Sequence, residues 1–199
     1  MPPLVSEEGY VVDAKEASIS SVRDSIKVSA RFVGQEELLK LTEADWQNPF
    51  ASNSKTLHTV FEVTVENGGQ EKVAVDPFRC VLLDGLGRQY GALTDAYFKD
   101  LYPLSAAVTL RMSRLPEEYY RTDDYYKRLA ADRALFKPME VFPGVKQKGF
   151  VVFESVGREA PVITLIFPGI AQNKDTGELK KKDLKFKFEQ KVSIEQVIK

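Results

Sequence analysis

A chain of 199 residues, 43% hydrophobic and 29% charged, has the material for one soluble globular domain, or for one domain with a large insertion. Its net charge of −1 supplies no long-range field toward DNA, RNA or an acidic membrane, and no apolar run approaches the roughly 18 residues of a membrane helix. One cysteine, Cys80, and one histidine, His58, exclude an internal disulfide framework and any zinc site built from several Cys or His ligands of this chain.

The opening MPPLVSEEGY has neither a basic n-region nor an apolar h-region, so no signal peptide is visible; a chain cut after one would read the same way. Residues 1–8 read as a loose tail. Tyr10 to Val12 and Glu16 to Val22 read as short strands able to pair. Ile26 to Val33 is cleaner, because Ile26, Val28, Ala30 and Phe32 alternate with Lys27, Ser29 and Arg31 until Gly34 ends the run. Thr42-Glu43-Ala44-Asp45 resembles a capping box opening a short helix through Trp46, which Asn48-Pro49 stops. Trp46, the only tryptophan, reads as a core or lid residue rather than a ligand platform.

Thr59 to Leu93 organises the chain and reads as three antiparallel strands joined by two tight turns. Phe61, Val63 and Val65 alternate with Glu62, Thr64 and Glu66, and Asn67-Gly68-Gly69 supplies residues that accept positive φ for a hairpin. Val73 to Leu83 forms the second strand, Asp84-Gly85-Leu86-Gly87 turns, and Arg88 to Leu93 returns. Beyond Leu93 the pattern turns helical. Thr94-Asp95 opens a short helix through Leu101, ended by Tyr102-Pro103, and Pro116 opens a second helical region reaching Phe136. Tyr125, Leu129 and Phe136 share one face at helical spacing, and Tyr119 and Tyr126 a neighbouring one.

Strand pattern resumes at Gly149. Phe150 to Phe153 is an uninterrupted apolar run, Val162 to Phe167 is another, and Leu184, Phe186 and Phe188 alternate with Lys185 and Lys187 as in a lysine-protected edge strand. About eight mostly antiparallel strands predict a mainly β fold. It is a two-sheet sandwich spanning 1–199 as a single domain, with a helical, tyrosine-rich insertion at 94–140 covering one end or one open face.

Three pieces of this pattern resemble the immunoglobulin-like domain of unknown function that recurs in bacterial surface lipoproteins and secreted proteins. They are the strand ending in Asn67-Gly68-Gly69, the apolar strand running from Phe78 into Asp84-Gly85 and then Tyr90, and Pro143-Gly144 followed by Gly149-Phe150-Val151-Val152-Phe153-Glu154. The third has a mechanical logic, since Pro143-Gly144 turns the chain and Gly149 permits close backbone approach. The resemblance covers about residues 59–93 and 142–167, and the helical insertion is longer than that pattern expects. It implies an immunoglobulin-like antiparallel β-sandwich and a cell-envelope or extracellular location, with a lipid anchor on a processed N-terminus. A cytoplasmic location is the remaining alternative. It supplies no catalytic residues.

Nucleophilic catalysis would need His58, yet no G-x-S-x-G element accompanies it, so it reads as a surface or strand-end histidine. Cys80 reads as a small buried hydrophobe, and no phosphate-cradling Gly-rich loop is present. Asn173 to Glu178 looks loosely like the start of a calcium loop but lacks the full ligand set, and reads as a turn. Glu117-Glu118, adjacent in a helix, diverge, and Asp123-Asp124 complement a helix dipole. Lys180-Lys181-Lys182 with Lys185 and Lys187 reads as a solvated edge rather than a nucleic-acid surface.

The expectation is therefore a protein with no catalytic, cofactor or metal site. Six of the eight tyrosines, Tyr97, Tyr102, Tyr119, Tyr120, Tyr125 and Tyr126, fall in the insertion. Adjacent pairs diverge by about 100° on a helix, so one sheet does not bury them all. They are the candidate contact surface for a protein or glycan partner. The alternative is a structural subunit that self-associates through a sheet edge.

Overall fold

The computed structural model describes residues 1–3, 10–13, 17–39, 48–50, 58–103, 123–157, 159–169, 171–172 and 183–190. Trp46 and its expected helix, Tyr119 and Tyr120, the Asn173 to Glu178 loop and Lys180 to Lys182 lie outside them. Along the chain the strands are β1 (Tyr10–Asp13), β2 (Ser18–Arg23), β3 (Ile26–Phe32), β4 (Thr59–Asn67), β5 (Val73–Val75) and β6 (Val81–Asp84). They continue as β7 (Gln89–Gly91), β8 (Met139–Val141), β9 (Lys146–Phe153), β10 (Val162–Phe167), β11 (Ala171–Gln172) and β12 (Leu184–Glu189). The helices are α1 (Gln35–Leu39), α2 (Asp95–Leu101) and α3 (Asp123–Ala134).

Alternating strands build a five-stranded sheet, β1-β2-β3-β4-β9, in which every pair is antiparallel and β2 and β3 form a tight hairpin. The turn between β2 and β3 consists of Asp24 and Ser25 at φ 47° and 65°, the primed geometry that matches strand twist in a two-residue loop. A four-stranded sheet, β12-β10-β6-β7, faces it across one core. Phe61 of β4 lies at the centre of that core. Its ring packs 5.0 Å from Phe188 of the facing sheet, 6.2 Å from Phe153 and 5.8 Å from Phe32. Val28, Val63 and Val151 from one sheet and Leu82, Ile163, Leu165 and Phe186 from the other fill the rest. A third, three-stranded sheet, β11-β5-β8, closes one side.

The expectation of about eight strands in two sheets is thus corrected: among the described residues the strands form three antiparallel sheets of five, four and three, and none closes into a barrel. The organising stretch changes most. β4 and β5 do not pair, and the single strand expected over Val73 to Leu83 is two strands in different sheets. Pro77 is the cause. It lacks an amide, and Asp76 caps the 3-10 turn Pro77–Arg79 by accepting from the Phe78 amide at 3.2 Å. The return strand, β7, and its Asp84-Gly85-Leu86-Gly87 turn stand as read, with Gly87 at φ 88°.

Asn67-Gly68-Gly69 is likewise no hairpin turn, and neither glycine uses positive φ. Asn67 is buried and ties three segments together. Its side-chain amide donates to the carbonyls of Glu71 (2.7 Å) and Val141 (2.9 Å), and its carbonyl oxygen accepts from the Gly69 amide (3.0 Å). Its backbone donates to Val145 O (3.0 Å) and accepts from Gly144 N (2.7 Å), which pins the Pro143-Gly144 turn to the end of β4. Gly144 has φ 73°, as the expected sharp turn requires.

Lysines do protect β12, where Leu184, Phe186 and Phe188 are buried and Lys185 is exposed. The edge has a second guard. Pro3 bridges Phe188, and the Glu189 amide donates to Pro2 O at 2.9 Å. Gly149 serves the close approach read from the sequence, but its neighbour is the segment leaving α3. A Cβ there would lie 2.7 Å from Phe136 Cα, and Phe136 N donates to Phe150 O at 2.9 Å. Phe136 is therefore past the helix and in the main core, not on a face shared with Tyr125.

Asn67→Ala strands the buried Val141 carbonyl and removes the part-buried bonds to the Glu71 carbonyl and the Gly69 amide, so it should cost about 1–3 kcal/mol; urea denaturation measures it, and a loss below about 1 kcal/mol would contradict the role given to Asn67. Gly149→Ala should cost about 1–3 kcal/mol by forcing β9 from the Phe136 backbone, whereas Gly91→Ala, with open space around it, should change the same midpoint little.

Candidate functional site

The reverse face of the five-stranded sheet is not left to water at the β4–β9 end. Val60 and Val152, opposite one another in register, point away from the main core, and a second apolar cluster forms on them. Leu38 of α1, Phe98 of α2, Ala131 of α3 and Phe50 from the 48–50 segment supply it. Phe50 anchors the layer, with its ring edge-on to Phe98 at 5.5 Å and to Phe150 at 6.0 Å. The polar groups carried in with these side chains are satisfied. Asn48 donates to Leu38 O (2.5 Å) and accepts from Phe50 N (2.9 Å), and the Tyr102 hydroxyl donates to Pro49 O (2.8 Å).

A cleft of about 270 Å³ opens between α2 and α3 on this layer. α2 contributes Asp95, Phe98 and Lys99, an i, i+3, i+4 set on one helical face. α3 contributes Tyr125, Arg128, Leu129 and Asp132 at the same kind of spacing, with Ala131 at the base. The small Ala131 lets the helix sit close to the sheet; the longer neighbours form the walls. Lys99 pairs with Asp95 at 2.8 Å, and this hydrogen bond holds the Asp95 carboxyl below its ordinary range. Asp132 pairs with Lys137 at 2.5 Å. Arg128 has no ion-pair or hydrogen-bond partner among the described residues, so the cleft carries one uncompensated cation over an apolar floor.

The predicted tyrosines divide. Tyr125 lines the cleft, and Tyr126 beside it meets its ring edge-on at 5.6 Å. Tyr97 stands half-buried on α2, edge-on to Phe98 at 5.2 Å. Tyr102 is corrected from contact residue to core residue. It is only 6% exposed, its hydroxyl is used on Pro49, and burial pushes its pKa up to about 12. The Lys127 ammonium lies 5.4 Å from its ring centroid. Tyr119 and Tyr120 lie outside the described residues. Leu129, grouped with Tyr125 by helical spacing, lines the cleft, whereas Phe98 and Arg128 were missed as cleft residues. The i, i+3, i+4 spacing on α2 was the available signal.

His58 is at a strand end as read, but it is buried rather than on the surface, 5% exposed. Nδ1 lies 3.2 Å from Phe50 O, so that nitrogen carries the proton. Nε2 is then the acceptor for the Tyr97 hydroxyl at 3.4 Å. Burial depresses the imidazole pKa, against the opposing effects of the Phe50 carbonyl and the Glu154 charge. Burial also pushes the Cys80 thiol well up, reinforced by Asp76, which leaves it inert in a strand-end position. Among the described residues no three His, Cys, Asp or Glu side chains gather as metal ligands would. No helix among them is long and apolar enough to cross a membrane.

Asp84, in the second piece of the resemblance, is a turn anchor. It accepts from the amides of Leu86 (3.0 Å) and Arg88 (2.8 Å), from the Tyr90 hydroxyl (3.2 Å), and from Arg88 Nε (3.0 Å). Burial works to raise its pKa, and those amides, the hydroxyl and the guanidinium together pull it below the usual carboxylate range. Arg88 in turn pairs with Glu159. A hollow of about 360 Å³ beside Asp76 and Arg79 lies at the three-stranded sheet, away from the helices.

No family model matches the chain, and no curated protein matches it. Among solved structures it is similar to YcdA of Bacillus subtilis, described as a "putative lipoprotein", at 14% identity over 86% of this chain and 38% of that one, with a TM-score of 0.46. It is also similar to the YjhA protein of Bacillus subtilis at 10% identity over 83% of this chain and 93% of that one, with a TM-score of 0.41. A functionally unknown protein from Listeria monocytogenes gives 10% identity over 87% of this chain and 78% of that one, at a TM-score of 0.41. The chain spans 38% of the length of the first of these proteins. Likeness at this level carries no functional argument.

Because the native pKa of His58 lies below its unfolded value of 6.5, the unfolded chain takes up the proton first on acidification. The contribution of His58 is therefore present above that pH and is lost as pH falls through the lowered native value. The melting temperature of the native protein should fall more between about pH 7.5 and pH 5 than that of His58→Gln; equal falls in the two would show that His58 is not held neutral.

Proposed function

We propose that this chain is a non-enzymatic binding module of the bacterial cell envelope or secreted fraction, meeting a protein or glycan through the surface of α2 and α3. The observation that supports the reading is the cleft itself: an apolar floor and an aromatic wall under a charged rim, on a layer outside the main core. Enzymatic chemistry finds less to work with among the described residues. The sole imidazole turns both nitrogens inward to Phe50 and Tyr97, and the sole thiol is buried. The immunoglobulin-like fold and the envelope location, with a lipid anchor on a processed N-terminus, rest on the three sequence pieces that carry the resemblance.

A structural subunit that associates through a sheet edge is the second reading. The β12 edge is guarded by Pro2 and Pro3, but Val11 and Val22 on the β1 side are 66% and 58% exposed, which favours that side as the associating one. A concentration-independent monomer in light scattering would remove it.

Co-sedimentation with purified envelope fractions tests the main reading. The native protein should sediment with wall or membrane material, and a Tyr125→Ser/Leu129→Ser variant with native circular dichroism should lose at least about 1 kcal/mol of that binding, roughly fivefold in affinity. Identical sedimentation of the two proteins would sink the cleft as the contact surface. Recovery of the native chain solely from the cytosol, with an unprocessed N-terminus by mass spectrometry, would sink the location.

A further inference from the structure

The chemistry of the α2–α3 cleft narrows its ligand beyond the proposed binding role, on which this inference rests. Four charged side chains stand around it, Asp95, Lys99, Arg128 and Asp132, and three of them are neutralised within the protein. Asp95 is held by Lys99, and Asp132 is held by Lys137 just beyond the helix. Arg128 is left over. A guanidinium at the mouth of an apolar hollow selects a planar anion that accepts two parallel hydrogen bonds, and a carboxylate has that shape. Phe98, Leu129 and Ala131 form the floor and offer the ligand no polar partner. The volume of about 270 Å³ is just under the range of drug-sized sites, so it takes one side chain rather than an extended body.

We infer that the cleft binds the carboxyl terminus of a peptide ending in an apolar residue, with the terminal carboxylate on Arg128 and the terminal side chain on Phe98 and Leu129. Only a C-terminal residue carries both groups on one α-carbon. An internal Asp or Glu would place no apolar group on the floor. A sugar would need several hydrogen-bonding side chains, and the cleft's two carboxylates are already engaged with lysines. Charge complementarity at Arg128 and the apolar floor together favour the peptide over the glycan.

The test is a titration of the isotope-labelled full chain with the tripeptide Ala-Gly-Phe, followed by amide shifts. The free acid should give saturable shifts confined to 95–101 and 123–134, and the C-terminal amide should bind about tenfold more weakly. Arg128→Gln should weaken the acid about tenfold and leave the amide unchanged, while Arg79→Gln, at the hollow away from the helices, should alter neither. If Arg128→Gln fails to fold, the acid-to-amide ratio on the native chain still decides. Equal binding of acid and amide, or no saturable shift with either, overturns the inference. Tighter binding of methyl glucuronide at the same amides also overturns it, while leaving the cleft as a binding surface. If no probe moves these amides yet co-sedimentation still depends on Tyr125 and Leu129, only the peptide inference falls. If that dependence is absent too, both fall.

Discussion

Val60 and Phe61 are consecutive on β4, so their side chains leave opposite faces of the five-stranded sheet, and both are completely buried. A sheet that buries one face needs only a second sheet; a strand that buries both at one end needs a further layer there. The helices α1, α2 and α3 and the 48–50 segment are that layer, gathered on Val60 and Val152. Farther along β4 the demand relaxes, since Thr64 and Glu66 face outward, and among the described residues no apolar cluster forms above them. The cleft thus arises from a packing requirement. Two short helices brought down on a narrow apolar strip, one through Phe98 and the other through Ala131, leave a gap between their walls.

Backbone groups hold these layers in register as firmly as the apolar contacts do. Asn67 ends β4 by donating to the carbonyls of Val141 and Val145 and accepting from the Gly144 amide, which ties the turn between β8 and β9 to that strand end. Midway along β9, opposite Val63, the absent side chain of Gly149 admits the Phe136 backbone. Leu93 donates to Val152 O at 2.7 Å along the same edge. Leu93 before α2 and Phe136 after α3 are therefore both bonded to β9.

Strands with clean alternation were legible because their period is a property of neighbouring residues alone. Ile26 to Phe32, Phe61 to Val65 and Leu184 to Phe188 all fold with the expected face buried. Partner choice was not legible, since it depends on residues far away in sequence. Asn67-Gly68-Gly69 has the composition of a hairpin turn, yet Gly68 N bonds to Ser25 O at 2.8 Å and Asn67 reaches Val141. The break at Asp76-Pro77 was written in the sequence and was outweighed by the apolar residues around it. In the insertion, helical spacing brought out Tyr125 and Leu129 together, and both line the cleft. Which tyrosines are buried depended on Pro49, whose carbonyl claims Tyr102 from 53 residues away.

The meeting of Phe61 and Phe188 rings has a kinetic meaning. The middle of the core is completed by a strand that lies near the end of the chain, and until it docks, β10 has a bare edge and Phe61 lacks its nearest ring. Closing so long a loop is entropically costly before any contact rewards it, so this topology belongs with slowly folding, high-contact-order β proteins. Strands β1 to β4, paired before β12 is in place, would hold their apolar face uncovered. That uncovered face, closed only when β12 docks, is the surface most open to misassociation while the chain folds.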